Sequence, residues 1–205
     1  MAFIGMRHPV ASVMSAHTKG QEPTYGTGMI IGHAIQGDLA ITRNNNPLYG
    51  DDVEVENDNS ITAMQLTLGV DDLSEEVQAY VGLLKEVVTG TGNDAVTHYL
   101  ETAGPSNTIG LGYIRVRRLN DVTTFQAIWI YSLNMGRDSE NTATKGEQIN
   151  WQTPTVTGRA KALFVDSGNE PAFRRIQNFT TESSAITWLN TMAGISSASS
   201  TATST

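Results

Sequence analysis

The sequence predicts a mostly β protein of the α+β class, with one or two helices packed on a sheet. First, two long runs around Asn120 and Asp121 alternate in polarity, as the strands of a hairpin do. Second, only 17% of the residues are charged, whereas Gly, Ser, Thr and Asn are plentiful, which is typical of β-rich proteins with many turns. Third, residues 71–84 and 180–193 have the spacing of amphipathic helices.

The hairpin at residues 107–133 is the centre of the predicted sheet. In its first run, Ile114 and Val116 alternate with charged residues, which predicts a half-buried strand. Its second run is apolar on both faces, so we expect a central strand covered on both sides. One face of that run comprises Phe125, Ala127, Trp129, Tyr131 and Leu133, and the other comprises Ile128 and Ile130.

Shorter elements precede the hairpin. Residues 29–42 predict two strands joined by a turn at Gly37–Asp38, because Gly and Asp favour turns. Alternation over residues 60–68 predicts a half-buried strand. Residues 85–106 leave two interpretations open after a Gly-containing turn, a strand or a short helix.

Another strand and a helix follow the hairpin. Residues 149–162 predict a strand, in which Pro154 favours an edge position or a bulge because proline lacks a ladder donor. The helix at residues 180–193 has Gly194 as its stop signal. Its predicted buried stripe comprises Ile186, Leu189 and Met192.

The chain is predicted to form a single domain with two extensions. Residues 1–28 are weakly patterned and are interrupted by several glycines, so we expect an arm that lies on the domain or on a neighbour. The domain itself spans residues 29–193. Residues 194–205 are rich in Ser and Thr and predict a mobile tail.

Composition excludes several classes of protein. The formal net charge of -8 argues against a general nucleic-acid binder, which needs a basic surface to neutralise phosphates. The chain has no cysteine, so neither disulfides nor thiolate metal sites are available. No run of 18 or more apolar residues is present, and we expect no membrane span and no signal peptide.

The sequence contains no motif that predicts an enzyme, a cofactor site or a metal site. Its four histidines lack the short spacing of zinc ligands. Residues 90–95 match a loose GxGxxA pattern, but no strand-to-helix unit surrounds it, so we do not interpret it as a dinucleotide site. We therefore predict no catalytic residues and no cofactor.

Four acidic residues recur at every second position from residue 52 to residue 58. In an extended chain this period places all the carboxylates on one face, about 7 Å apart. Such a ladder is a solvated acidic face, a surface that faces a polyanion, or a cation site, and the wide spacing disfavours the cation site. The ladder comprises Asp52, Glu54, Glu56 and Asp58.

Two polar loops and one basic cluster are further candidates. The loops at residues 43–52 and 136–148 are long enough to contact other chains. Their candidate contact residues are Asn44, Asn45, Asn46 and Tyr49 in the first loop and Arg137, Asp138, Glu140 and Lys145 in the second. The basic cluster comprises Arg115, Arg117 and Arg118, for which we predict cross-strand or inter-subunit ion pairs.

The succession of segments resembles the major tail proteins of siphophages, the long-tailed bacterial viruses. The resemblance covers residues 29–193 and rests on several segments together, none of which is diagnostic alone. These segments are PLYGDD at 47–52, QLTLGV at 65–70, DLSEEVQA at 72–79, GYIRVR at 112–117, WQTPTVTG at 151–158 and TESSAITWLN at 181–190.

The resemblance implies a β-sandwich-like tail-tube domain whose copies form hexameric rings. In that family the inner sheets of six subunits join into a continuous β-barrel, and the rings stack into a tube that conducts viral DNA. For this chain it implies a place in the virion tail, with tape measure, terminator and distal tail proteins as partners. DNA would pass without being bound, and the ladder at Asp52–Asp58 would line the lumen or a loop surface.

Two other classes stay open at the level of sequence. A tail terminator, an adaptor or the inner tube of a contractile injection machine would use a related domain. A monomeric β-sandwich binding module would need no second copy. The state of assembly separates a tube protein from a protein that forms single rings and from a monomeric binding module.

Overall fold

The computed structural model describes residues 2–137, 153–168 and 170–196. Its helices are α1 (Glu75–Val81) and α2 (Glu182–Ala193). Its strands are, in chain order, β1 (Ala2–Ala16), β2 (Thr24–Tyr25), β3 (Met29–Ile30), β4 (Ala34–Arg43), β5 (Asn46–Gly50), β6 (Val53–Asp58), β7 (Ile61–Val70), β8 (Lys85–Thr89), β9 (Val96–Leu100), β10 (Thr108–Leu119), β11 (Val122–Gly136), β12 (Thr155–Ala160) and β13 (Arg174–Phe179).

One large antiparallel sheet contains most of the strands. Its order is β2-β1-β10-β11-β12-β7-β4, with β3 added to β1 and β13 added to β11. Strand β11 changes partner along its length, because residues 125–130 pair with β13 and residues 133–136 pair with β12. The hairpins β5–β6 and β8–β9 form two separate two-stranded sheets. The prediction of a mostly β protein of the α+β class is confirmed.

The predicted central hairpin is confirmed as β10–β11. Its turn is formed by Asn120 and Asp121, which have φ angles of 49° and 62°. Positive φ at both positions is the backbone of a type I′ turn, whose twist matches that of antiparallel strands. Asn and Asp tolerate this conformation better than most residues, which explains why the turn lies here.

The faces of β11 differ from the prediction at one end. Ile128 and Ile130 lie in an inner core between the curled halves of the sheet, and Trp129 lies in an outer core beneath α2. Leu133 was predicted to share the face of Trp129, and this is wrong. The ladder pairs Leu111 with Ile130 but Ile109 with Leu133, so one extra residue of β11 lies between these pairs. Such a bulge reverses the alternation and turns Leu133 into the inner core.

Helix α2 confirms the predicted second helix, with local signals at both ends. The Thr181 hydroxyl accepts a hydrogen bond from the Ser184 N–H at 3.4 Å, and Gly194 ends the helix with a φ of 67°. The helix buries Ala185, Leu189 and Ala193 completely. Of the predicted stripe, Leu189 is therefore confirmed, while Ile186 and Met192 are only partly buried.

Helix α1 is shorter than the predicted 71–84 segment. It begins after Ser74, whose hydroxyl accepts a hydrogen bond from the Val77 N–H, and it ends at Gly82. Gly82 has a φ of 81°, a left-handed conformation that stops a helix and that side chains rarely adopt. Val77 and Val81 pack into the inner core, as the predicted apolar face requires.

Residues 2–16, which the sequence assigned to an arm, form the integral strand β1. It pairs with β10 from Ala2 to Val13, and its residues Val10 and Ala11 are fully buried. Two register shifts, after Phe3 and after Arg7, interrupt the alternation that would have indicated a strand. Residues 197–205 of the predicted tail lie outside the described residues.

Three further segments depart from the sequence analysis or complete it. No turn occurs at Gly37–Asp38, because β4 pairs with β7 on both sides of these residues. The open interpretation at residues 85–106 is resolved as the hairpin β8–β9. The strand β13 was not predicted, because four of its six residues are exposed and it lacks an apolar pattern.

Replacing Leu189 by alanine tests the outer core. This side chain is fully buried and lies against Gly112, where an added Cβ would be 2.7 Å from Leu189 Cδ2. We expect Leu189→Ala to lower the free energy of unfolding by about 2–5 kcal/mol, because it leaves a cavity between helix and sheet. Urea unfolding measures the loss. The control Val88→Ala, at a side chain 56% exposed, should change stability little, and an equal loss in both variants would contradict this account of the core.

Candidate assembly surfaces

The predicted Asn-rich loop at residues 43–52 is in fact the start of a projecting hairpin. Strands β5 and β6 pair only with each other within the described part of the chain. Asp51 and Asp52 form the turn, with φ angles of 50° and 65°. These values again fit a type I′ turn, which two consecutive aspartates can adopt. We call this element, residues 44–59, the acidic hairpin.

The acidic ladder does not lie on one face of this hairpin. Asp52 is in the turn, and a register shift between Leu48 and Tyr49 interrupts the ladder. Leu48 is opposite Glu56, whereas the next residue, Tyr49, is opposite Glu54. Because neighbouring residues of a strand face opposite sides, Glu56 and Glu54 lie on opposite faces. The prediction of a one-sided acidic ladder is therefore wrong, because the bulge at Val55 reverses the alternation of β6.

Asparagine side chains hold the base of the acidic hairpin together. Asn44 Nδ2 donates a hydrogen bond to Asp58 Oδ2 at 2.7 Å, and the Ser60 N–H donates to Asp58 Oδ1 at 3.0 Å. Asn57 Nδ2 donates to Asn45 Oδ1 at 3.0 Å. The bond from Asn44, followed by those from Ser60, lowers the pKa of Asp58. Two predicted contact residues, Asn44 and Asn45, thus have a structural role inside their own chain.

The acidic hairpin exposes apolar side chains that its own chain does not cover. Leu48 and Tyr49 are 60% and 63% exposed, and Val53 and Val55 are 65% and 66% exposed. An isolated two-stranded hairpin is marginally stable in water, and apolar residues on both of its faces are costly to leave solvated. The second hairpin, β8–β9, similarly exposes Val88 and Val96.

A four-stranded part of the large sheet has two unpaired edges. It consists of residues 2–7 of β1, the facing part of β10, residues 122–130 of β11 and the whole of β13. Among the described residues, β1 has no strand on its outer side before Val10, and β13 has none on its outer side at all. We call this element the four-stranded segment. Its unpaired N–H and C=O groups are a template for another strand.

The predicted basic cluster divides between this segment and its turn. Arg115 Nη2 donates to Gln126 Oε1 at 2.7 Å, and Gln126 Nε2 donates in turn to Asn178 Oδ1 at 3.0 Å. The guanidinium of Arg115 lies 4.3 Å from the centre of the Phe3 ring. Burial of this guanidinium lowers the pKa of Arg115. Arg118 forms an exposed ion pair with Asp121 at 2.9 Å.

The remaining predicted contact residues lie near the end of β11 or beyond it. Arg137 Nη1 donates to Gln78 Oε1 at 3.2 Å, which ties this end of the strand to α1. Asp138, Glu140 and Lys145 lie outside the described residues.

Within residues 2–137, 153–168 and 170–196, no three His, Asp or Glu side chains converge as a metal site requires. No described helix is long and apolar enough to cross a membrane.

Comparison with known proteins adds no family assignment. No protein-family model matches the chain, and no curated protein matches it.

The unpaired edges of the four-stranded segment were missed by sequence reasoning because they belong to β1 and β13, which are 158 or more residues apart in the chain. The apolar residues between the acidic positions of β6 were the only sequence signal for the exposed hairpin.

The Asn44–Asp58 contact predicts a measurable shift in the titration of Asp58. Because the folded pKa is lowered, the stabilisation by this carboxylate is present above its unfolded pKa of about 3.9 and is lost as the pH falls through the folded pKa. We expect Asn44→Ala to move the folded pKa upward, toward the ordinary aspartate range. Carboxyl ¹³C NMR titration measures it. An unchanged midpoint in the variant would show that Asn44 does not anchor the hairpin.

Proposed function

We propose that the chain is a structural protein of a bacteriophage tail tube, in which copies join edge to edge into hexameric rings. The rings stack into a hollow tube that conducts viral DNA. The observation that carries the proposal is the pair of unpaired edges on the four-stranded segment, one on β1 and one on β13. The number six, the stacking and the virion tail as location come from the resemblance of the sequence to the siphophage proteins.

The directions of the strands support closure into a ring. All pairs in the four-stranded segment are antiparallel, so β1 and β13 run in opposite directions. When β13 of one copy is placed beside β1 of the next, the new pair is antiparallel as well, and the sheet continues without a change of pattern. A contact between two different surfaces of one chain closes a ring when the rotation between copies is suitable.

The acidic hairpin supports contacts beyond a single ring. It projects from the sheet and exposes apolar residues, so it is suited to reach a neighbouring copy. The net charge of -8 also fits a wall along which DNA slides without being held. Tape measure, terminator and distal tail proteins are the partners that such a tube requires in a virion.

Electron microscopy of the purified protein tests the proposal. We expect long hollow tubes, or closed rings at low concentration, because each copy offers both edges that the contact needs. Single rings that never stack would favour a terminator or adaptor. A monomer of 22.1 kDa that persists at high concentration would contradict the proposal and would favour a β-sandwich binding module.

A proline in β1 tests the edge itself. Ile4 has no partner residue in β10, because the register shifts between Phe3 and Gly5, so Ile4→Pro leaves the paired positions of β1 unchanged. We expect a folded protein in which assembly is lost, because proline removes an N–H donor and places a ring at the edge. Sedimentation velocity and circular dichroism measure assembly and folding. Ile4→Ala, which keeps the N–H, is the control and should assemble normally.

A further inference from the structure

The face of the four-stranded segment that lies opposite α2 is cationic in a chain whose net charge is -8. Arg117 lies opposite Phe3, and Arg115 lies opposite Gln126, which lies opposite Asn178. Residues that lie directly opposite each other in antiparallel strands share a face, as do alternate residues of one strand. This surface, which we call the cationic face, therefore carries Phe3, Arg115, Arg117, Gln126, Arg174, Ile176 and Asn178, and no carboxylate among the described residues.

The cationic face also carries features that are costly in a solvated surface. Phe3 and Ile176 are 49% and 43% exposed. Arg115 Nε is buried and has no hydrogen-bond partner in the described part of the chain. An unpaired buried donor destabilises a structure. Exposed apolar side chains favour a ligand that covers them, and arginines favour one that carries carboxylates. A ligand that is both acidic and apolar therefore suits this face.

The acidic hairpin has this combination of properties. Residues 44–59 contain five carboxylates and no Lys or Arg. The hairpin also presents Leu48 and Tyr49 on its two faces, beside Glu56 and Glu54 respectively. Because the hairpin and the cationic face belong to the same polypeptide, an assembly contains them in equal numbers.

We infer that the acidic hairpin of one copy binds the cationic face of a neighbouring copy, with carboxylates paired to Arg117 and Arg174 and apolar residues packed on Phe3 and Ile176. The inference rests on the proposed function, since it needs neighbouring copies, and it specifies which two surfaces meet. Opposite charges orient such a contact, and the apolar residues give it buried area.

Duplex DNA is the competing ligand for arginines, but it fits this face less well. Phosphates would pair with the arginines and leave Phe3 and Ile176 without a partner. The chain as a whole would repel DNA, because its net charge is -8. DNA would also leave the apolar residues of the hairpin solvated, whereas a second copy covers both surfaces at once.

Charge reversal with rescue tests the inference. The face variant carries Arg117→Glu and Arg174→Glu, and the hairpin variant carries Glu54→Arg and Glu56→Arg. Both glutamates are changed because they lie on opposite faces of the hairpin, so the change reaches whichever face meets the neighbouring copy. We expect each variant to raise the critical concentration for assembly about tenfold or more. We expect the variant with all four changes to assemble at a concentration about threefold or more below that of the face variant, because an introduced arginine of the hairpin then meets the introduced glutamates of the face. Light scattering and electron microscopy measure assembly.

Controls separate this contact from general effects of charge and from the proposed function. Arg159→Glu with Lys161→Glu makes the same change of charge at exposed residues elsewhere and should assemble as wild type does. Fluorescence of Trp129 and Trp188 reports whether each variant is folded. A folded four-change variant without rescue, or a face variant that assembles normally, would overturn the inference while tubes of the wild type still support the proposed function.

The DNA alternative has its own measurement. Fluorescence anisotropy with a short labelled duplex compares wild type with the face variant. We expect wild type to bind the duplex no more tightly than the face variant does. If the face variant assembled normally but lost a binding that wild type shows, the cationic face would be a DNA site and the inference would be wrong.

Discussion

Burial of both faces of β11 is the constraint on which the rest of the fold depends. Trp129 is fully buried and packs edge-on against Tyr25, with ring centres 5.1 Å apart. Trp129 Nε1 donates to Tyr25 Oη at 3.2 Å, and Tyr25 Oη donates to the Tyr131 carbonyl oxygen at 2.7 Å. Burial raises the pKa of the Tyr25 hydroxyl far above its usual range, so this donor is retained at all ordinary pH values. Gly112 leaves the space that the indole and α2 require.

The bulge in β11 divides the sheet into two regions with different tasks. Beyond the bulge, β11 pairs with β12, and the strands β7 and β4 complete the inner core within a single chain. Before the bulge, β11 pairs with β13, beyond which the described chain supplies no further strand. This first region shares its core with Ile128 and Ile130 and ends at β4, most of whose residues are exposed. The second region packs against α2 and has two unpaired edges that run in opposite directions, which our proposal of edge-to-edge assembly uses.

Sequence reasoning succeeded where the structural signal was local. The β10–β11 hairpin, α2 and their turn and cap residues follow from alternation, helical spacing and the residues Asn120, Thr181 and Gly194, each within a short stretch. It failed where long-range pairing decides the structure. Bulges in β1 interrupt the alternation of polar and apolar residues that would have predicted a strand. Strand β13 is polar, and its position depends on its contacts with β11 and α2, which lie far from it or follow it in the chain. The acidic ladder was misplaced for the same reason, since the register of β5 against β6 decides which carboxylates share a face.

The unpaired edges are built so that few partners can use them. Edge strands usually carry charge or a bulge, which prevents indiscriminate pairing. Strand β1 has a bulge at Ile4, and β13 begins with Arg174 and Arg175, the second of which forms an ion pair with Glu22 at 2.6 Å. An unrelated strand would bring no carboxylate to Arg174, whereas a copy of this chain brings the acidic hairpin as well as a matching edge. If the hairpin neutralises the arginines as we infer, the same residues that oppose aggregation select the chain's own copies, so specificity and assembly have a common electrostatic origin.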